Sequence, residues 1–116
     1  DQVFSRQIEA LGRAQDVLIA YSTSGQSHNI HRAIAQATDQ GLTTIAMTGQ
    51  SPSGQKMARF CDHAILIPSD HTATIQEGHL IMGHLICQGV EQTMQAMRGA
   101  TWTTEPKDDA LDRSSF

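Results

Sequence analysis

The chain has 116 residues, room for one modest domain. Hydrophobic residues make up 39% and charged residues 17%, a balance that suits a soluble globular protein rather than a disordered one. Eight Lys and Arg against twelve Asp and Glu leave a net charge of -4, which excludes an electrostatic drive toward nucleic acid or an anionic membrane, and no apolar run approaches the roughly 18 residues of a spanning helix.

The first eleven residues read as a helix, with Val3, Phe4, Ile8 and Leu11 on one face. A chain that opens at Asp1 inside an element, with no Met or targeting segment, is expected to be a fragment. Asp16–Tyr21 is a short continuous apolar run, the pattern of a strand buried on both faces, and Ser22-Thr-Ser-Gly closes it. Ser27 to Gln40 follows with helical spacing of Ile30, Ala33, Ile34 and Ala37, and Gly41 stands where a left-handed residue ends a helix.

Thr43–Met47 is the second strand, followed by Thr48-Gly49. A short helix is predicted from Gln55 to Phe60, then a third strand from His63 to Ile67, closed by Pro68. The order β-α-β-α-β, with crossovers of this length, implies parallel strands joined by right-handed connections. A long helix is predicted from Thr74 to Arg98. Its broad apolar arc holds Ile75, Met82, Ile86, Val90, Met94 and Met97, so burial in the core or against other subunits is expected. Gln76 and His79 fall inside that arc. Residues 100–116 are polar and acid-rich and read as a mobile tail, leaving residues 1–99 as the folded part. The first strand shows no edge protection and is expected to have a neighbour on its open side.

Chemistry concentrates at Ser22-Thr23-Ser24-Gly25-Gln26-Ser27, where a buried strand gives way to a helix. Hydroxyls and unpaired N–H groups at the positive end of a helix make an anion cradle, and in open α/β sheets ligands bind at the carboxyl ends of strands. The same residues also suit a plain role, with Ser27 capping the helix and the other hydroxyls satisfying the turn. Spacing alone leaves both open. The loop has neither the Gly-Lys-Ser/Thr ending of a nucleotide P-loop nor G-x-G-x-x-G.

In the long helix, His79 and His84 are five residues apart and so are not an i, i+4 metal pair. Glu77 and His84 lie nearly in line, about 10.5 Å apart along the axis. His84 on its own reads as a solvated position, His79 as a satisfied core or interface histidine, and Gln76 as an amide in need of partners. Thr48 could add a hydroxyl to the crevice, with a turn role favoured. The five methionines read as core filler, and Cys61 and Cys87, with no C-x-x-C pattern, as buried, inert thiols that suit a reducing cytoplasm.

Taken together, Asp16-Val-Leu-Ile-Ala-Tyr-Ser-Thr-Ser-Gly-Gln-Ser27, Thr72-Ala-Thr-Ile-Gln-Glu-Gly-His79 and Gly83-His84-Leu-Ile-Cys87 resemble the sugar isomerase (SIS) domain family, and within it the phosphoheptose isomerases. The resemblance covers about residues 1–98. It implies a three-layer αβα fold with a parallel flavodoxin-like or Rossmann-like sheet, of which this chain carries the last three strands and a long C-terminal helix. It implies an aldose–ketose isomerase that converts sedoheptulose 7-phosphate to D-glycero-D-manno-heptose 7-phosphate through an enediol, in heptose biosynthesis in the cytoplasm.

By the same resemblance, Ser22, Thr23, Ser24 and Ser27 hold the substrate phosphate. Gln76 and His84 reach the substrate and can ligate zinc, and His84 is also a candidate acid/base. The implied partners are a phosphosugar substrate and further copies of the chain in a homotetramer, with no membrane and no direct nucleic-acid contact. The family's N-terminal half supplies a glutamate base and a second phosphate loop that these residues lack. Gln26 stands where the family usually has Asn, residues 50–55 lack its Gly-Gly, and Thr74 replaces a common Arg. A second class is a non-catalytic SIS protein that binds the replication initiator protein, and a third is a sugar-phosphate sensor. The initiator-binding relative departs in the serine loop and lacks a histidine at the position of His84, so Ser24 and His84 favour the enzyme.

Overall fold

The computed structural model describes residues 1–99. The expected tail, 100–116, lies outside the described residues. Helix α1 (Val3–Leu11) leads into strand β1 (Val17–Tyr21), helix α2 (His28–Asp39), strand β2 (Thr43–Gly49), helix α3 (Pro52–Arg59), strand β3 (His63–Ile67) and helix α4 (Thr72–Gly99). The strands form one parallel sheet in the order β1-β2-β3, with Tyr21 opposite Met47 and Gly49 opposite Ile67. The expected α/β order therefore holds, with one strand per apolar run.

The chain divides into two compact units, residues 1–82 and residues from Gly83 onward, the division falling within α4. In the first unit the core is small. Ala20, Ala46, Met57 and Ile34 pack together, with Leu18, Ile30 and Cys61 against them, so β1 and β2 meet α2 and α3 on one face. Alanines at the facing strand positions let the helices come close, and Met57 fills the space left over. On the opposite face lie the first turns of α4. Ile75 is buried there, and Cβ atoms built on Gly49 and Gly78 would press into Ile75 and Ile67.

Local signals set the element ends. Gly41 takes φ 80° just after α2, the left-handed conformation that glycine adopts freely. Ser51 caps α3 by accepting a bond from the Gly54 N–H at 3.1 Å, and Pro52 occupies the first turn, so α3 begins three residues before the expected Gln55. Thr44 and Asp62 tie the start of β2 to the turn before β3. The Asp62 carboxylate accepts from the Thr44 N–H at 2.8 Å and from its hydroxyl at 3.1 Å.

Burial departs from expectation in three places. Only β2 is covered along its length, while most of β3 is exposed and β1 is half-covered. On α4 only Ile75 and His79 are buried, and Leu85, Val90, Met94 and Met97 stand exposed. Cys87 is exposed, whereas Cys61 is half-buried, with burial pushing its thiol above the ordinary range. A continuous apolar run predicts that something covers it. It does not say that the same chain does so.

Candidate functional site

The ends of β1 and β2 lie side by side, and the Ser22 N–H donates to the Met47 carbonyl at 3.0 Å. The loop Ser22–Ser27 thus sits at the carboxyl edge of the sheet, where ligand crevices of open α/β sheets form. Inside it, Ser22 Oγ accepts from the Gly25 N–H at 3.0 Å, and Ser24 Oγ accepts from the Gln26 N–H at 3.2 Å. Each hydroxyl still has its own proton to donate. Gly25, at φ 70°, is buried and makes the turn that a side chain would strain.

Ser27 occupies the N-cap position of α2 but makes no side-chain cap bond, contrary to the plain capping role. No acidic residue lies in the first turn of α2 either. That end of the helix therefore keeps N–H groups and partial positive charge with no carboxylate in its first turn to offset them. Ser22, Thr23 and Ser27 are half-buried and Ser24 is exposed, so the loop brings all four candidate phosphate ligands to one accessible turn. Hydroxyl donors over an uncapped helix N-terminus are suited to a dianion such as a phosphate monoester.

Sequence reasoning assigns no role to His31, but the structure does. Its Nε2 lies 2.6 Å from the Gly25 carbonyl oxygen, a bond that needs the proton on Nε2. Position i+6 across a turn gives no pattern that could reveal this contact. Thr48, also at the strand end, is fully buried, and its hydroxyl has no partner among the described residues, so it adds no donor to the crevice.

The α4 candidates divide. His79 is buried, with Nε2 3.1 Å from the Thr48 carbonyl oxygen and its ring edge-on to Tyr21 at 5.5 Å, a satisfied core histidine as expected. Gln76 is exposed, which corrects its placement in a buried arc, and needs no buried partner. His84 is exposed in the second unit. Among the described residues no group of three His, Cys, Asp or Glu side chains could hold a metal ion, so they do not form the three-ligand set of a catalytic zinc. Among the same residues, no helix is long and apolar enough to cross a membrane.

Residues 1–49 match the SIS domain family. The chain is 47% identical over 92 residues to the phosphoheptose isomerase of Sulfurimonas denitrificans, covering 79% of this chain and 46% of that protein. It is 46% identical over 94 residues to that of Burkholderia pseudomallei, covering 81% and 47%. The solved phosphoheptose isomerase of Neisseria gonorrhoeae superposes with a TM-score of 0.73 at 40% identity, over 78% of this chain and 50% of that one. The chain is thus a homologue of SIS-domain phosphoheptose isomerases, and it spans about half the length of the curated relatives it matches.

Proposed function

We propose that this homologue of the phosphoheptose isomerases supplies the C-terminal portion, residues 1–99, of an aldose–ketose isomerase acting on sedoheptulose 7-phosphate. The observation that carries the reading is the serine loop Ser22–Ser27 above the uncapped N-terminus of α2. In this reading Ser22, Thr23, Ser24 and Ser27 take the phosphate, and Gln76 is a further substrate-binding residue.

Isomerisation moves one proton between neighbouring carbons. A base removes a C1 proton from the ketose while the C2 oxygen gains a proton, giving the enediol. C2 is then protonated as the C1 hydroxyl proton leaves, giving the aldose. This requires a base on one carbon and an acid for its neighbour. His84 is proposed as one of the pair, and the other lies outside these residues. Zinc enters only as a metal with further ligands from the rest of the protein. Gln76 and His84 are proposed as two of its donors, and when bound it would polarise the sugar's carbonyl oxygen.

The proposal includes assembly and completion of the sheet. Strand β1 is an edge strand, and beside it runs a groove of about 710 Å³ lined by Phe4, Ile8, Leu11, Val17, Ile19 and Ile30. A further strand from the remainder of the protein fits there. The exposed apolar side chains of α4, Leu85 and Val90 among them, suit burial by other copies in a homotetramer. A cytoplasmic location accords with a phosphorylated substrate. The test is turnover of sedoheptulose 7-phosphate by the full-length protein, with and without added zinc. Aldose product supports the reading, and its absence from an intact oligomer opposes it.

A further inference from the structure

The loop after β1 and the turn that opens α3 are 27 residues apart in sequence for their bonded pairs, yet they are built against each other. A Cβ on Gly25 would lie 2.6 Å from Gly54 Cα and N and from the Ser53 carbonyl carbon. A Cβ on Gly54 would lie 2.7 Å from the Thr48 hydroxyl and would run into the Gly49 carbonyl. The loop and turn backbones are therefore in contact at Gly25, where a side chain would displace the α3 turn, and a side chain on Gly54 would push that turn off the end of β2.

Two polar links cross the same contact. The Ser51 hydroxyl donates to the Ser24 carbonyl at 3.3 Å, and the Gln26 amide donates to Ser53 Oγ at 3.2 Å. The hydrogen bonds inside the loop span two or three residues and fix its shape, but not its position on the sheet. Position comes from outside, with Gly25 held by His31 of α2 on one side and by the α3 turn on the other.

We propose that the turn Ser51–Gly54 is a template for the phosphate loop, with Ser53 and Gly54 as positioning residues that set affinity for the phosphate of the substrate. The inference rests on the phosphosugar reading above. Hydroxyl and N–H donors to a phosphate must all meet it at once, so a small shift of the loop weakens every contact together. Gln26 reaches across to Ser53, so the pair acts as one clasp whose members are coupled.

The test uses the full-length protein. KM and kcat for sedoheptulose 7-phosphate, and competitive inhibition by inorganic phosphate, are measured for Ser53→Ala, Gln26→Ala, the double variant, Ser53→Thr and Gly54→Ala. Loss of one neutral hydrogen bond predicts that KM and the phosphate inhibition constant rise together, about three- to tenfold, with kcat little changed. The double variant should be no worse than either single, Ser53→Thr should restore the unmutated values, and Gly54→Ala should shift both constants furthest. Should Gly54→Ala fail to fold, the Ser53 and Gln26 variants decide. Unchanged KM and inhibition constants in Ser53→Ala and Gln26→Ala, or a fall in kcat alone, overturn the template. An unmutated protein that neither turns over the sugar phosphate nor binds phosphate overturns the phosphosugar reading and the template with it.

Discussion

His79 Nε2 lies 3.1 Å from the carbonyl oxygen of Thr48, so a buried imidazole joins α4 to the C-terminal end of β2. The carbonyl can only accept, which fixes the proton on Nε2. His79→Ala removes this bond, the edge contact with Tyr21 and the volume of the ring together. The expected loss is about 2 to 3 kcal/mol of stability, read from the urea midpoint. A midpoint unchanged from that of the unmutated protein would show that α4 is not held by this contact.

Thr48 itself makes the opposite prediction. Its hydroxyl is buried without a partner among the described residues, so it carries a desolvation cost with no bond in return. Thr48→Val keeps the shape and removes the polar atom. Stability should stay equal or rise by about 1 kcal/mol. A clear fall in the thermal midpoint would mean that the hydroxyl has a partner in solution.

The Asp62 carboxyl is held below the usual carboxylate range by bonds from the Thr44 N–H and hydroxyl. A carboxyl whose folded pKa lies below its unfolded value, about 3.9, stabilises the fold fully above that value. The contribution is lost as pH falls through the folded value. Denaturation midpoints measured from neutral pH down to acid should therefore drop below about pH 4, and the drop should be shallower in Asp62→Ala. Identical acid limbs in the two proteins would rule out this link.

The 116-residue chain alone should show no isomerase turnover, because His84 supplies at most one member of the acid/base pair that an enediol needs. The assay is aldose formation from sedoheptulose 7-phosphate by the purified chain, which should match the rate without protein. A rate above that background would require a second acid/base group within these residues.

Much of this fold is written in local pattern. The three strands fall where apolar runs lie between turn residues, and β3 has the expected bounds because Pro68 follows Ile67 directly. Ser51-Pro52 is a readable helix start, an N-cap before a proline, although Pro52 and Gly54 also read as turn residues and so put the expected start at Gln55. What the sequence could not convey is nonlocal. Continuous hydrophobicity in β3 and α4 looks the same whether the cover comes from this chain or from another. The clasp of Gln26 with Ser53 depends on two loops that meet only after β1 and β2 pair. His31 shows the same limit, since its partner at Gly25 is reached only through the turn geometry of the loop.

In the proposed function the serine loop binds the phosphate and His84 serves the proton transfer. The most direct measurement is the isomerisation rate of the full-length His84→Ala protein, taken beside its affinity for the sugar phosphate and beside both quantities for Ser24→Ala. His84→Ala is expected to lose turnover by at least about a hundredfold while binding is largely retained, and Ser24→Ala is expected to weaken binding. Full turnover in His84→Ala, or unchanged binding in Ser24→Ala, would contradict the proposed function.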